Sequence, residues 1–312
     1  MALAGHLWTI GPVLRHRFRP WLAPAAVPWS TPLRDPHLGA LTLRGLFRDR
    51  AESDTCVVVV HGLGGTTGTH YVVQAARAAE RAGFACLRLA LRGADRDGED
   101  FYHAGLREDV EAAVASDALR RFSRVLVLGY SLGGHVTLRY ALAPSDPRVR
   151  AVAAICAPLD LALGQVHIDR PSSFLYRRHV LAGLKAIYEA VARRRSVPTP
   201  LAQVLRVRTI REWDALTVVP RHGFGSVERY YDSMSVGPRL AELAVPALLL
   251  QNAADPMVPP ATIEPHLLAP RPRLTLRWLT AGGHVGYPSA LHIGETGDLG
   301  VESQALAWLA RQ

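Results

Sequence analysis

Lysine is almost absent from this chain of 312 residues: Lys185 stands alone, although 36 basic residues outnumber 27 acidic ones and leave a formal charge of +9. The positive charge is therefore arginine, and it is spread along the chain instead of gathered into a basic tract. Without a dense Lys/Arg run or a nucleic-acid motif, that excess reads as compositional bias, and no nucleic-acid partner is expected. Cysteine is scarce too, at three. A disulfide framework is excluded, and no Cys/His spacing offers a zinc site. Cys56, Cys86 and Cys156 each sit in an apolar run and are expected as small buried side chains on strands. No segment reaches the roughly 18 uninterrupted apolar residues of a membrane span. The apolar start, Met1–Arg19, has no basic n-region and is broken by His, Gly, Pro and Arg. The expectation is therefore a cytoplasmic protein without a secretory leader. Leu7, Trp8, Ile10 and Leu14 in that stretch are read as packing on the body of the domain, with peripheral contact to a membrane surface as the alternative.

What is present is apolar bulk. Hydrophobic residues make up 49% of the chain, enough for a substantial core. Short β-branched runs alternate with helical patterns, the rhythm of a mostly parallel sheet covered by helices on both faces. The expected strands are Leu41–Phe47, Thr55–Val60, Phe84–Ala90, Arg124–Leu128, Val149–Cys156, Ala247–Gln251 and Leu274–Leu279. Helices are expected over Thr69–Ala82, closed by Gly83, over Leu106–Leu119, from the end of the Gly129–Gly133 segment to about Ala143, and over Val301–Ala310. Between about 160 and 240 the rhythm stops. That stretch holds helical segments near Phe174–Arg193 and Leu201–Arg206, then a Pro/Gly/aromatic patch at Val219–Tyr231. It reads as a helical cap inserted into a single α/β domain, with residues 1–40 as an extension packed on the body.

Three segments carry chemistry. Gly129-x-Ser131-x-Gly133 follows an apolar strand and precedes a helix, so the turn between them lifts a serine hydroxyl above the sheet. The glycines suit a turn too cramped for side chains. His61-Gly62-Leu63-Gly64-Gly65 follows another apolar strand. A tetrahedral oxyanion needs preset N–H donors, and the expected pair is the backbone amides of Leu63 and Leu132. No Gly-Lys-Ser/Thr ending follows, so a P-loop is excluded. His61 is read as fixing this turn, not as a base. Asp255 follows the Ala247–Gln251 strand, and His284 follows Leu274–Leu279. Both should emerge at the sheet edge where Ser131 emerges, in the chain order Ser, Asp, His. Ser131 is the candidate nucleophile, His284 the base and Asp255 the carboxylate that sets its tautomer. Asp160 is the competing acid and His292 the competing base. No metal or organic cofactor is called for.

Further motifs support a family likeness. They are Gly5-His6-Leu7-Trp8-Thr9-Ile10, Leu91-Arg92-Gly93, Tyr102-His103-Ala104-Gly105, Arg211-Glu212-Trp213-Asp214, His222-Gly223-Phe224 and Tyr230-Tyr231. With Gly129–Gly134, Asp255-Pro256 and Gly283-His284-Val285-Gly286, the set resembles the YheT-type branch of the α/β-hydrolase superfamily along nearly the whole chain. The resemblance implies an α/β-hydrolase fold and hydrolysis of carboxylic esters, with acylglycerol, phospholipid or acyl-transfer activity in some relatives. Trp8 departs from an expected Gln. His135 stands where Asn is common and is read as helix packing.

The reading is a serine carboxylic-ester hydrolase acting on a small acyl ester, of short to medium chain or acylglycerol-like. A thioesterase or alcohol acyltransferase would use the same triad, and a non-catalytic binding protein on the same fold is the rival of another class. An aminopeptidase would need cap carboxylates, for which Asp169, Glu189 and Glu212 are scattered candidates. Tyr130, Trp213, Phe224, Tyr230 and Tyr231 are candidate substrate contacts, joined in the cap by Phe174, Leu175 and Tyr176. The cap aromatics read either as an acyl pocket or as the cap's own core, the latter preferred. No oligomeric state follows from the sequence.

Overall fold

Runs such as Thr55-Cys-Val-Val-Val-Val60 have no polar side to show to water, so they must be covered on both faces. The computed structural model, which describes residues 2–312, puts them in the middle of an eight-stranded sheet of order β1-β2-β4-β3-β5-β6-β7-β8. The chain opens with helix α1 (Ala2–Phe18), then the hairpin β1 (Val27–Asp35) and β2 (Gly39–Arg48). β3 (Thr55–Val60), α2 (His70–Arg81), β4 (Ala85–Ala90), α3 (Glu108–Ala115), β5 (Arg124–Tyr130), α4 (Leu132–Ala141) and β6 (Val152–Ile155) follow. The hairpin joins β4 antiparallel through β2, and every pairing from β4 to β8 is parallel. Residues 27–40 of the expected N-terminal extension are thus largely sheet, missed because Pro28 and Pro32 lower β propensity. An edge strand tolerates both.

Alternate side chains of the central strands feed two separate layers. Cys56, Val58 and Val60 pack with Leu87, Leu89, Val110 and Val136 on one face. Val57 and Val59 pack with the α2 alanines on the other, where the C-terminal helix also lies. Each fully buried valine contributes about 1.5–3 kcal/mol, which is why this sheet centre dictates the fold. Cys56 and Cys86 lie on β3 and β4 as expected. Cys156 does not lie on a strand: β6 ends at Ile155 and Cys156 turns away at φ +52°. Leu106–Leu119 also divides, into α3 and a separate 3-10 turn at Asp117–Leu119.

Between β6 and β7 (Ala247–Asn252) the chain folds into α5 (Leu161–Ile168), α6 (Phe174–Ala192), α7 (Leu201–Val204), α8 (Ile210–Leu216), α9 (Val218–His222) and α10 (Val227–Met234), here called the cap. The Pro/Gly/aromatic patch is mostly α9 and α10, separated at Gly223, φ +68°. β8 (Leu274–Leu279) and α11 (Val301–Ala310) complete the chain. Arg92 explains its motif. Its guanidinium reaches Asp109 and Asp35 at 2.7 Å and Asp100 at 3.4 Å, all buried, while Arg221 of α9 takes the other Asp100 oxygen at 2.9 Å. One buried ionic cluster therefore ties β1, the segment after β4, α3 and the cap together. Removing one partner of such a cluster costs about 3–5 kcal/mol.

The expectation for α1 needs correction. Its inward side is Gly5 and Thr9, whereas Leu7, Ile10 and Leu14 face solvent at 65%, 38% and 49% exposure, and Trp8 is half-buried. Among the described residues no helix is long and apolar enough to cross a membrane.

Asp214 of α8 is a buried carboxyl that forms no salt bridge among the described residues. Tyr231 donates to its Oδ2 at 2.7 Å, yet burial, seconded by the charge of Asp169, pushes its pKa from 3.8 up to about 7. Below about pH 4 the folded and unfolded chains both hold this proton. As pH rises to about 7 the unfolded chain gives it up first, so stability is lost across that window. Thermal melts should therefore show wild type losing stability relative to Asp214→Asn between about pH 4 and pH 7. A gap that does not change with pH would contradict the buried, protonated carboxyl.

Candidate active site

β5 delivers Ser131 into a conformation few L-residues adopt, φ +51° and ψ −120°, and α4 starts at the next residue. The turn closes only because two flanking positions lack side chains. A Cβ on Gly129 would lie 2.3 Å from the Gly133 carbonyl, and one on Gly133 would lie 2.3 Å from the His61 carbonyl. Four non-glycine residues among those described have positive φ, and three of them, Ser131, Cys156 and Val285, belong to this site. Backbone strain collected in one place is a mark of functional geometry.

The three expected side chains meet there. His284 Nε2 is 2.9 Å from Ser131 Oγ, and His284 Nδ1 is 2.8 Å from Asp255 Oδ2. The second carboxylate oxygen, Oδ1, accepts the amides of Met257 at 2.8 Å and Val258 at 2.9 Å. Asp255 thus has a fixed orientation before it meets the imidazole. A carboxylate at Nδ1 calls for the proton on that nitrogen, which leaves the Nε2 lone pair toward the serine. Asp255 and His284 are buried, and Ser131 is half-buried at the floor of a cavity.

The loop carrying His284 is held from behind by residues that the sequence does not by itself assign to this site. Thr9 Oγ1 accepts the His284 amide at 2.8 Å and donates to the Gly5 carbonyl at 2.7 Å. α1 can approach this closely because the contacts are glycine on backbone. A Cβ on Gly5 would sit 1.9 Å from the Ala254 carbonyl, and one on Gly283 would sit 2.2 Å from the Gly5 carbonyl. From the other side, Val285 N–H points to Cys156 Sγ at 3.5 Å, and that sulfur also meets Tyr287 Oη at 2.9 Å. Burial pushes the Cys156 thiol well up, so it remains a neutral packing group. The signal for Thr9 and Gly5 was their motif, whose spacing places both on one face of α1. Nothing in the local sequence around Cys156 announces its neighbours.

The Gly-rich turn after β3 has its amides committed, with one exception. Gly62 N–H donates to Tyr71 Oη at 3.0 Å, Gly64 N–H to Tyr102 Oη at 2.6 Å, and Gly65 N–H to the Gly62 carbonyl at 3.0 Å. Among the described residues the Leu63 amide has no acceptor, and neither has Leu132 at the start of α4. His61 fixes the turn. Leu91 N–H donates to its Nε2 at 3.2 Å, so Nδ1 carries the proton that the Gly62 carbonyl accepts at 2.8 Å. Burial pushes its pKa down to about 4 and keeps it neutral.

The rival residues are engaged elsewhere. Asp160 caps α5 through Leu163 N–H and meets His266 at 3.0 Å. His292 is exposed and accepts the Gly294 amide. Asp169 accepts the first amides of α8, Glu212 closes that helix's capping box, and Glu189 pairs with Arg193. His135 packs as expected, between the Pro158 and Met234 carbonyls.

Above Ser131 lies a cavity of about 670 Å³, walled by the Gly-rich turn, α1 and the cap. Trp213, Tyr230 and Tyr231 are core residues of the cap and line this cavity as well. Leu175 and Tyr176 also line it. Tyr130 does not: it continues the Leu126–Leu128 face into the opposite layer, its ring 4.7 Å from Tyr71 and its hydroxyl toward Glu302. One residue along a strand is the opposite face, and that alternation removes it from the site. Phe224 is also outside the wall, turned into an aromatic cluster with His103 and Tyr230. Phe174 lies at the surface, 51% exposed.

A model of the "Alpha/beta hydrolase family" matches residues 57–292. Over 251 residues the chain is 31% identical to "Putative esterase YheT" of Escherichia coli (strain K12), covering 76% of this chain and 72% of that one. It is 23% identical to "Phospholipase ABHD3" of Homo sapiens over 76% of this chain, and spans 59% of that longer protein. Similarity to "Medium-chain fatty acid ethyl ester synthase/esterase 2" of Saccharomyces cerevisiae is 24%, over 74% of this chain and 57% of the yeast protein. Among solved structures, the Pyrococcus furiosus esterase Pf2001 shares the fold at a TM-score of 0.54 and 15% identity, over 84% of this chain and 85% of that one. Fold, family model and the similarity to YheT agree: this chain is a hydrolase and belongs to the alpha/beta hydrolase family.

Proposed function

We propose that the protein is a serine carboxylic-ester hydrolase working through an acyl-enzyme on Ser131. The observation that carries this reading is the unbroken pair of hydrogen bonds, Ser131 to His284 and His284 to Asp255, below two uncommitted amides. Ser131 Oγ attacks the ester carbonyl carbon as His284 Nε2 takes its proton. The carbonyl oxygen becomes an oxyanion that Leu63 and Leu132 N–H groups stabilise. The carbon–oxygen bond to the alcohol then breaks, and the imidazolium returns its proton to the departing alkoxide. Water repeats the sequence with the same base, releasing the acid and restoring the serine.

The cavity supports an acyl substrate of short to medium chain or an acylglycerol-like lipid. Leu161, Ile168, Val180, Leu184 and Val218 line it, surfaces that favour hydrocarbon over charge. The same apolar walls suit an alcohol acceptor in place of water, the activity named for the yeast relative. Product analysis with ethanol present separates acyl transfer from hydrolysis. Three free buried thiols accord with a cytoplasmic setting.

Ser131→Ala should lower kcat by about 10⁴-fold or more and abolish labelling by a fluorophosphonate probe. Labelling of that variant would refute the assignment. Thr9→Val should keep the fold and lower kcat about tenfold with little change in KM, because misplacement of the imidazole impairs chemistry more than binding. Thr9→Ser should restore it. An unchanged kcat in Thr9→Val would show that the threonine does not position His284.

A further inference from the structure

A surface helix normally turns its apolar stripe to the core. α1 does the reverse. Leu3, Leu7, Ile10, Leu14 and Phe18 recur at three- and four-residue steps along its solvent side, at 74%, 65%, 38%, 49% and 78% exposure, and Leu22 beyond it is 86% exposed. Rolling the helix to bury the stripe is not open to this fold. Thr9 must face the His284 amide to accept its hydrogen bond, and Gly5 must face Ala254, where even a Cβ would not fit. The site therefore fixes the inward face of α1 and leaves its apolar face outward.

Two independent features say what covers that face. From residue 2 to residue 34 there is no acidic side chain, while Arg15, Arg17, Arg19 and Arg34 lie in it. The stripe also borders the cavity mouth: Ile10, Val13 and Arg17 of α1 line the cavity holding Ser131. Across the mouth, His6 Nδ1 bonds Tyr176 Oη at 2.6 Å, and next to Tyr176 the exposed Phe174 and Leu175 (51% and 66%) extend the apolar rim.

We propose that this face docks on a lipid bilayer containing anionic headgroups. α1 lies in the interface with its leucines and Phe18 at the acyl boundary, and its arginines meet the headgroups. The cavity mouth then opens on the leaflet, so an acyl chain reaches Ser131 without crossing water. This last step rests on the esterase reading above, whereas the docking itself does not.

Flotation separates the two. Wild type and Ser131→Ala should both float with phosphatidylcholine vesicles containing phosphatidylglycerol, and much less with phosphatidylcholine alone or at high salt. Leu7→Ser/Leu14→Ser should bind those vesicles about tenfold more weakly or worse. That variant should still turn over soluble p-nitrophenyl acetate like wild type, since neither leucine touches the cavity or the triad. Equal binding by wild type and the double variant would overturn the proposal. So would wild type that stays with the soluble fraction, including one that sediments as a dimer dissociated by the same two substitutions. Vesicle binding without any ester turnover would sustain the docking and sink the esterase reading.

Discussion

The arrangement depends on holding one imidazole between a serine hydroxyl and a carboxylate while its loop cannot move. Each contact is ordinary in strength, but together they remove the freedom of His284 at both ring nitrogens and at its backbone amide. The cost is visible as unfavourable backbone at Ser131, Cys156 and Val285. A rigid parallel sheet with both faces covered can bear that cost. β5, β7 and β8 are neighbours or near neighbours in its order, and all three end at the same edge.

This explains why the chain has so many glycines around its candidate active site. Gly129 and Gly133 let the turn carrying Ser131 close against β3, and Gly5 and Gly283 let α1 press on the loops of Asp255 and His284. Gly5 and Thr9 thus support the candidate site although they lie far from it in sequence. The outward apolar stripe of α1 follows from the same constraint, since a helix held by its small face must show its large one.

Much of this was legible because it is local. A fully apolar strand followed by a glycine-rich turn identifies itself, and the alternation of strand and helix in the sequence puts Ser131, Asp255 and His284 at one sheet edge. What was not legible depends on tertiary contact. Tyr130, a candidate substrate contact in the sequence, is sent to the other layer by the period of its strand. Leu7, Ile10 and Leu14 read as packing on the body, and only the close contacts of Gly5 and Thr9 reveal which side of α1 faces it. The cap was hardest to read, because Trp213, Tyr230 and Tyr231 serve as its core and as the cavity wall together. No periodicity distinguishes those two uses.

The proposed function stands or falls on acyl transfer through the hydroxyl of Ser131. Its most direct measurement is rapid acid quench of the protein during turnover of a p-nitrophenyl ester, followed by intact-mass and peptide mapping. The account requires a burst of p-nitrophenol together with an added acyl mass on the peptide containing Ser131. Turnover without any acyl adduct, or an adduct mapped to another residue, would contradict it.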